Sequence, residues 1–113
     1  MDEIVAKLKQ ANRIFVVTHE HPDGDAIGSA VAFTYLTRAL GMLTHTICAD
    51  EVPEPFQFLV STVAFEHTFA PEPGDVVVTL DCGDLRRTGF AGQLTQFRRL
   101  GGTLIHIDHH PKS

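Results

Sequence analysis

The chain has 113 residues, 43% hydrophobic and 20% charged, which fits one globular domain with a single core. Its formal charge of −5, from 14 acids against 9 bases, excludes a surface that grips nucleic acid by bulk positive charge. No run of about 18 apolar residues is present to span a membrane, and the charged, amphipathic start MDEIVAKLKQ is unlike a signal peptide, so the expected location is cytoplasmic.

Residues 2–11 place Ile4, Val5 and Leu8 at helical spacing and predict a short amphipathic helix. RIFVVT (13–18) follows as a strand buried on both faces, and AIGSAVAFTYLTRAL (26–40) as a helix closed by Gly41. LTHTICA (43–49) alternates as a second strand, EVPEPFQFLV (51–60) reads as a Pro-broken loop leading into a short helix, and FEHTFA (65–70) as a short strand. PEPGD (71–75) is turn chemistry before the apolar strand VVVTL (76–80). FAGQLTQFRRL (90–100) has Leu94, Phe97 and Leu100 at helical spacing, and TLIHI (103–107) is the last strand. The alternation predicts an α/β fold, a Rossmann-like parallel sheet flanked by helices on both faces.

Three of these strands run directly into acids and histidines, as HEHPDGD, DCGD and DHH. In an open parallel sheet all the carboxyl ends point to one edge, where ligands bind, so the three clusters converge there. Asp23 and Asp25 flank Gly24, whose freedom to adopt positive φ would turn both carboxylates toward one point. The following helix, expected to begin near Ala26, aims its free N–H groups into the same crevice as a phosphate site, with Gly28 and Ser29 in its first turn allowing close approach. Carboxylates and imidazoles gathered without matching Lys or Arg repel one another unless cations neutralise them, and divalent metals do so. Mixed oxygen and nitrogen donors suit Mn²⁺, Mg²⁺, Fe²⁺, Co²⁺ or Zn²⁺, and the lack of a CxxC pair argues against structural zinc.

The plainer reading of His19, Asp23 and Asp25 is a solvated loop in which Asp25 caps a helix; the matching clusters after two further strands outweigh it. For His45, His67 and His106, each inside a predicted strand, the plainer reading wins, and they are taken as ordinary sheet histidines. Cys48 and Cys82, in separate apolar segments, read as buried reduced thiols, Cys82 being turned away from Asp81 by strand alternation.

In order, spacing and strand context, HEHPDGDAIGS (19–29), VVVTLDCGDLRR (76–87) and DHHP (108–111) resemble the DHH phosphoesterase superfamily, most closely its NrnA-type oligoribonucleases, which also act on 3′-phosphoadenosine 5′-phosphate. The resemblance implies a two-metal phosphodiesterase or phosphatase acting on short single-stranded RNA or a small nucleotide. Its cofactors would be two divalent cations, manganese foremost and magnesium or cobalt as alternatives. Carried over by position, His19 and Asp23 hold one metal, Asp25 and His109 the other, and Asp81 bridges them. His110 faces the scissile phosphate, Asp108 orients its neighbours and Arg87 contacts phosphate. His21 stands where relatives often carry Asn or Arg and is left outside the metal shell.

The same resemblance implies that residues 1–113 correspond to the N-terminal part of a longer enzyme, the fourth-motif Asp and the C-terminal substrate-binding domain lying beyond them, so that this piece alone is expected to turn over weakly or not at all. It further implies a homodimer. Two other functions compete: a non-catalytic nucleotide- or metal-binding module, and an inorganic pyrophosphatase of the same superfamily, which the Gly28-Ser29 pair disfavours.

Overall fold

The apolar runs become the strands of one parallel sheet, and their carboxyl ends share an edge. The computed structural model describes residues 2–108. Its helices are α1 (Asp2–Gln10), α2 (Gly24–Ala39) and α3 (Ala91–Arg99), and its strands are β1 (Ile14–Val17), β2 (Thr44–Ile47), β3 (Phe65–Glu66), β4 (Val76–Leu80) and β5 (Thr103–Ile107). Two 3₁₀ turns, Glu54–Val60 and Leu85–Thr88, follow β2 and β4.

The sheet order is β3-β2-β1-β4-β5, every neighbouring pair parallel. From β1 the chain moves outward through β2 to β3, then crosses back to lay β4 on the other side of β1. The order therefore reverses between β1 and β4, and a crevice opens at their carboxyl ends.

Side chains alternate across the central strands, which is why both faces of IFVV and VVVTL are apolar. Ile14, Val16, Val76, Val78 and Leu80 pack with Leu8 of α1 and Ala30 of α2, whereas Phe15, Val17 and Val77 pack with Leu94 and Phe97 of α3. The expected α/β/α sandwich is thus formed, with α1 and α2 on one face and α3 on the other. A third cluster, Ile27 and Val31 with Val52 and Val63, seats the 54–60 turn against α2. No helix among the described residues is long and apolar enough to cross a membrane.

Two polar devices hold the frame. Buried hydroxyl pairs, Thr34 to Thr46 at 2.7 Å and Thr37 to Thr44 at 2.6 Å, join α2 to β2. At the amino ends of β1 and β4, Arg13 makes a two-pronged pair with buried Asp75, Nε to Oδ1 at 3.2 Å and Nη2 to Oδ2 at 2.7 Å. The Glu72 amide donates to the same carboxylate at 2.8 Å, and the guanidinium lies 5.0 Å from the centre of the Phe15 ring. Burial pushes the Asp75 carboxyl up, but these hydrogen bonds and the Arg13 charge prevail and hold it below the usual carboxylate range.

Three elements differ from expectation. Helix α2 begins at Gly24, two residues early, because Asp23 caps it. The 65–70 strand shrinks to Phe65–Glu66, since only Thr46 and Ile47 of β2 pair with it. The Leu85–Thr88 turn was not anticipated; Asp84 caps it by accepting from the Arg86 amide, and Gly89, at φ 82°, ends it.

Candidate metal and phosphate site

Strand register places the site residues along the edge. Val17 of β1 lies opposite Thr79 of β4, so His19 and Asp81, each two residues further on, leave adjacent strands abreast at the point where sheet order reverses. Leu80 pairs with Ile107, and the Asp81 amide donates to the Ile107 carbonyl at 2.8 Å, which puts Asp108 beyond Asp81 on the next strand. Neighbouring strands lie about 4.8 Å apart, so these side chains start within reach of a shared ligand.

His19 and Asp81 are both buried. The His19 Nδ1 lies 2.6 Å from the Glu20 carbonyl oxygen, which can only accept, so Nδ1 carries a proton. In a neutral ring this leaves the lone pair on Nε2, the tautomer that a ligand bonding through Nε2 requires, fixed by the chain's own backbone. Asp81 adopts a left-handed backbone, φ 59°, and His21 does so on the neighbouring loop at φ 52°. Such conformations cost about 1–2 kcal/mol in a residue with a Cβ, and both fall on the loops that flank the crevice.

Here the expectation for Gly24 is corrected. The sharp turn lies at His21, and Gly24 is the first residue of α2; its missing side chain admits the Phe56 ring, whose Cε1 a Cβ would approach to 3.1 Å. Asp23, rather than Asp25, is the cap: its Oδ1 accepts from the Ala26 amide at 2.8 Å. Asp25 is exposed in the first turn of α2.

Because the helix starts early, Gly28 and Ser29 sit in its second turn rather than its first, where the N–H groups already serve the helix. Ser29 lines a shallow groove of about 320 Å³ with Phe33, Leu80 and Ile107. A Cβ at Gly28 would meet no protein atom within 4 Å, so internal packing does not demand a glycine there.

The loops after β1, β2 and β4 are tied together. The Glu20 amide donates to the Arg87 carbonyl at 2.6 Å, and the His21 amide donates to Asp50 Oδ2 at 2.7 Å. Gly89 fits between Glu20 and Ala49, where a Cβ would come within 3.1 Å of both side chains. The Arg87 side chain is exposed, while Arg86 is spent on Asp84, its Nη2 donating to Oδ2 at 2.9 Å. Those hydrogen bonds from Arg86 bring the Asp84 carboxyl down to about 2.

Sequence reasoning missed Asp50, whose role depends on a contact 29 positions away. The remaining histidines have structural partners: His45 Nδ1 lies 2.7 Å from Glu66, His67 Nδ1 2.9 Å from the Cys48 carbonyl, and His106 Nδ1 2.6 Å from the Thr79 hydroxyl. Both cysteines are free and buried. Burial pushes the Cys82 thiol up to about 11 against the opposing charge of Arg87, so in the protein without a metal it stays protonated at neutral pH.

His109 and His110 lie outside the described residues. Among the described residues no three His, Cys, Asp or Glu side chains close around one point. The donor chemistry nonetheless fits a hard or borderline divalent cation: a preset imidazole Nε2 and a buried carboxylate abreast of it, with two more carboxylates on the adjoining turn.

Comparison with known proteins shows the family and the fold. The family model described as "DHH family, N-terminal domain" matches residues 13–113. The bifunctional oligoribonuclease and PAP phosphatase NrnA of Thermus thermophilus is 31% identical over 98 residues, covering 86% of this chain and 28% of that protein. A probable manganese-dependent inorganic pyrophosphatase of Lactobacillus helveticus is 38% identical over 52 residues, 46% of this chain and 17% of that one. The crystal structure of an exopolyphosphatase-related protein from Bacteroides fragilis superposes with a TM-score of 0.71 at 22% identity, over 98% of this chain and 34% of its own, and so shares the fold. The chain thus spans about a third or less of the relatives it matches. With the family match running from the start of β1 through all three motifs, the chain belongs to the DHH family, to whose N-terminal domain it corresponds.

Proposed function

We propose that this chain carries the metal-binding half of a phosphoesterase that hydrolyses short oligoribonucleotides to mononucleotides, with 3′-phosphoadenosine 5′-phosphate as a second substrate. The observation that carries the reading is the pairing of His19, its Nε2 lone pair exposed by the Glu20 carbonyl, with buried Asp81 across the β1–β4 switch point. The residues to hold divalent cations are His19, Asp23, Asp25 and Asp81, with His109 from the third motif. When bound, such cations, manganese first, polarise phosphoryl oxygens and lower the pKa of a water toward neutrality.

The chain's own contribution is positional. The Glu20 carbonyl keeps the His19 ring in one tautomer, and the Ala26 amide holds one Asp23 oxygen while leaving the other to turn outward. Arg87, exposed on the loop that carries Asp81, is the phosphate contact in this reading. The choice of RNA over pyrophosphate rests on extent: the NrnA similarity spans 86% of the chain and the pyrophosphatase similarity 46%. Inorganic pyrophosphate remains the second reading because that shorter stretch is the more identical.

The test offers a 5′-phosphorylated diribonucleotide, 3′-phosphoadenosine 5′-phosphate and pyrophosphate side by side with Mn²⁺, with Asp81→Ala as control. Mononucleotide release abolished in the control supports the reading. Phosphate release from pyrophosphate alone moves the assignment to the second reading, and Mn²⁺ binding without any turnover leaves this chain a binding module.

A further inference from the structure

Of the threonines buried among the described residues, Thr34, Thr37, Thr44, Thr46, Thr79 and Thr88 each have a hydroxyl partner at 3.1 Å or closer. Thr18 does not. It is completely buried, and its Oγ1 has no hydrogen-bond partner among the described residues. A buried hydroxyl left unbonded is destabilising, and the chain avoids it at every other buried threonine.

The position is specific. Thr18 continues β1, its amide donating to the Ile47 carbonyl at 3.1 Å, and its side chain follows Ile14 and Val16 toward the α2 face. It therefore faces the side of the sheet that carries α2, whose first-turn residues Ala26 and Ile27 are sealed from solvent, one residue before His19 and one strand from the start of the DCGD loop. Valine would fill the same volume at no hydrogen-bonding cost. A threonine in that place makes sense if its donor is used in a state other than the empty one.

We propose that Thr18 is a positioning residue: on cation binding its hydroxyl donates to an oxygen ligand of the ion, a carboxylate of the site or a bound water, and holds that oxygen in place. The proposal rests on the metal-site reading above and adds to it a residue that none of the three motif clusters supplies. Groups that orient metal ligands in this way typically change affinity about 10–100-fold when removed.

The test uses the whole chain and two variants, Thr18→Val, which deletes the hydroxyl at nearly constant shape, and Thr18→Ser, which keeps it. Mn²⁺ affinity is read from the electron paramagnetic resonance signal of the free ion, and metal-free stability from urea unfolding. Thr18→Val is expected to unfold at the same or higher urea concentration than wild type while binding Mn²⁺ about 10-fold more weakly. Thr18→Ser should recover affinity to within about twofold despite losing a buried methyl. Wild-type affinity in Thr18→Val overturns the proposal alone, as does a lower metal-free midpoint for that variant, which would mean that the hydroxyl is already bonded in the empty protein. No Mn²⁺ binding by wild type overturns both the proposal and the metal-site reading.

Discussion

Replacing Arg13 by Met tests the frame beneath the site. Methionine keeps an apolar stem near Phe15 and removes the guanidinium, leaving the Asp75 carboxylate buried with only the backbone amides of residues 13 and 72 as donors. Breaking a buried pair from one side costs about 3–5 kcal/mol. The Arg13 side chain is 32% exposed, so water screens part of the attraction and the expected loss falls to about 2–3 kcal/mol at pH 7. With a urea slope of about 1–3 kcal/mol per molar, the midpoint drops by about 0.7–3 M.

The pH dependence identifies the cause. In the wild type the folded Asp75 pKa is depressed below its unfolded value, so its contribution is fully present above the unfolded pKa, near pH 4, and is lost as pH falls through the folded value. Without the guanidinium only burial and two backbone amides remain, and protonation of the carboxyl relieves the variant. The gap between the two unfolding curves should therefore be widest near neutrality and close below pH 4. A gap that stays constant from pH 7 to pH 3 would refute the electrostatic account and assign the loss to packing.

Three further outcomes are expected. Thr34→Val strands the Thr46 hydroxyl in the core and should cost about 1–3 kcal/mol, whereas Thr34→Val with Thr46→Val removes both partners and should recover most of the loss in the same urea titration. Asp23→Ala should lose about 1 kcal/mol of stability together with Mn²⁺ affinity, and Asp23→Ser should restore the cap but not the affinity; recovery of both would leave Asp23 a cap only. Iodoacetamide at pH 8 should leave Cys82 unmodified in the folded protein and alkylate it in urea, because burial holds its pKa at about 11; mass spectrometry showing rapid labelling of the native chain would contradict the burial.

How far the sequence anticipated this architecture depended on the range of the interaction concerned. Strand ends were legible because apolar runs stop where polar residues begin, and a parallel sheet sends all those ends to one edge; His19 and Asp81 therefore fell where expected. Asp23 against Asp25 as the cap was not legible, since HEHPDGD contains two equivalent carboxylates and the choice depends on where the backbone turns. That turn fell on His21 although a glycine stood three residues away, because Gly24 is committed to the Phe56 ring. Pairings such as Arg13 with Asp75 and His21 with Asp50 join residues 62 and 29 positions apart, and nothing local marks either partner.

The reversal of strand order at β1 also bears on how the edge comes into being. β1 meets β2 in a register offset of 30 residues, Ile14 opposite Thr44, but meets β4 only across 62, Ile14 opposite Val76. Closing the longer loop costs only about 0.6 kcal/mol more than the shorter, so the penalty is small, but a ribosome delivers β4 later. His19 is therefore synthesised before Asp81. The pairing that defines the crevice belongs to the completed sheet and to no fragment of it, and a nascent chain that displays HEHPDGD does not yet have the Asp81 that the proposed ion site needs.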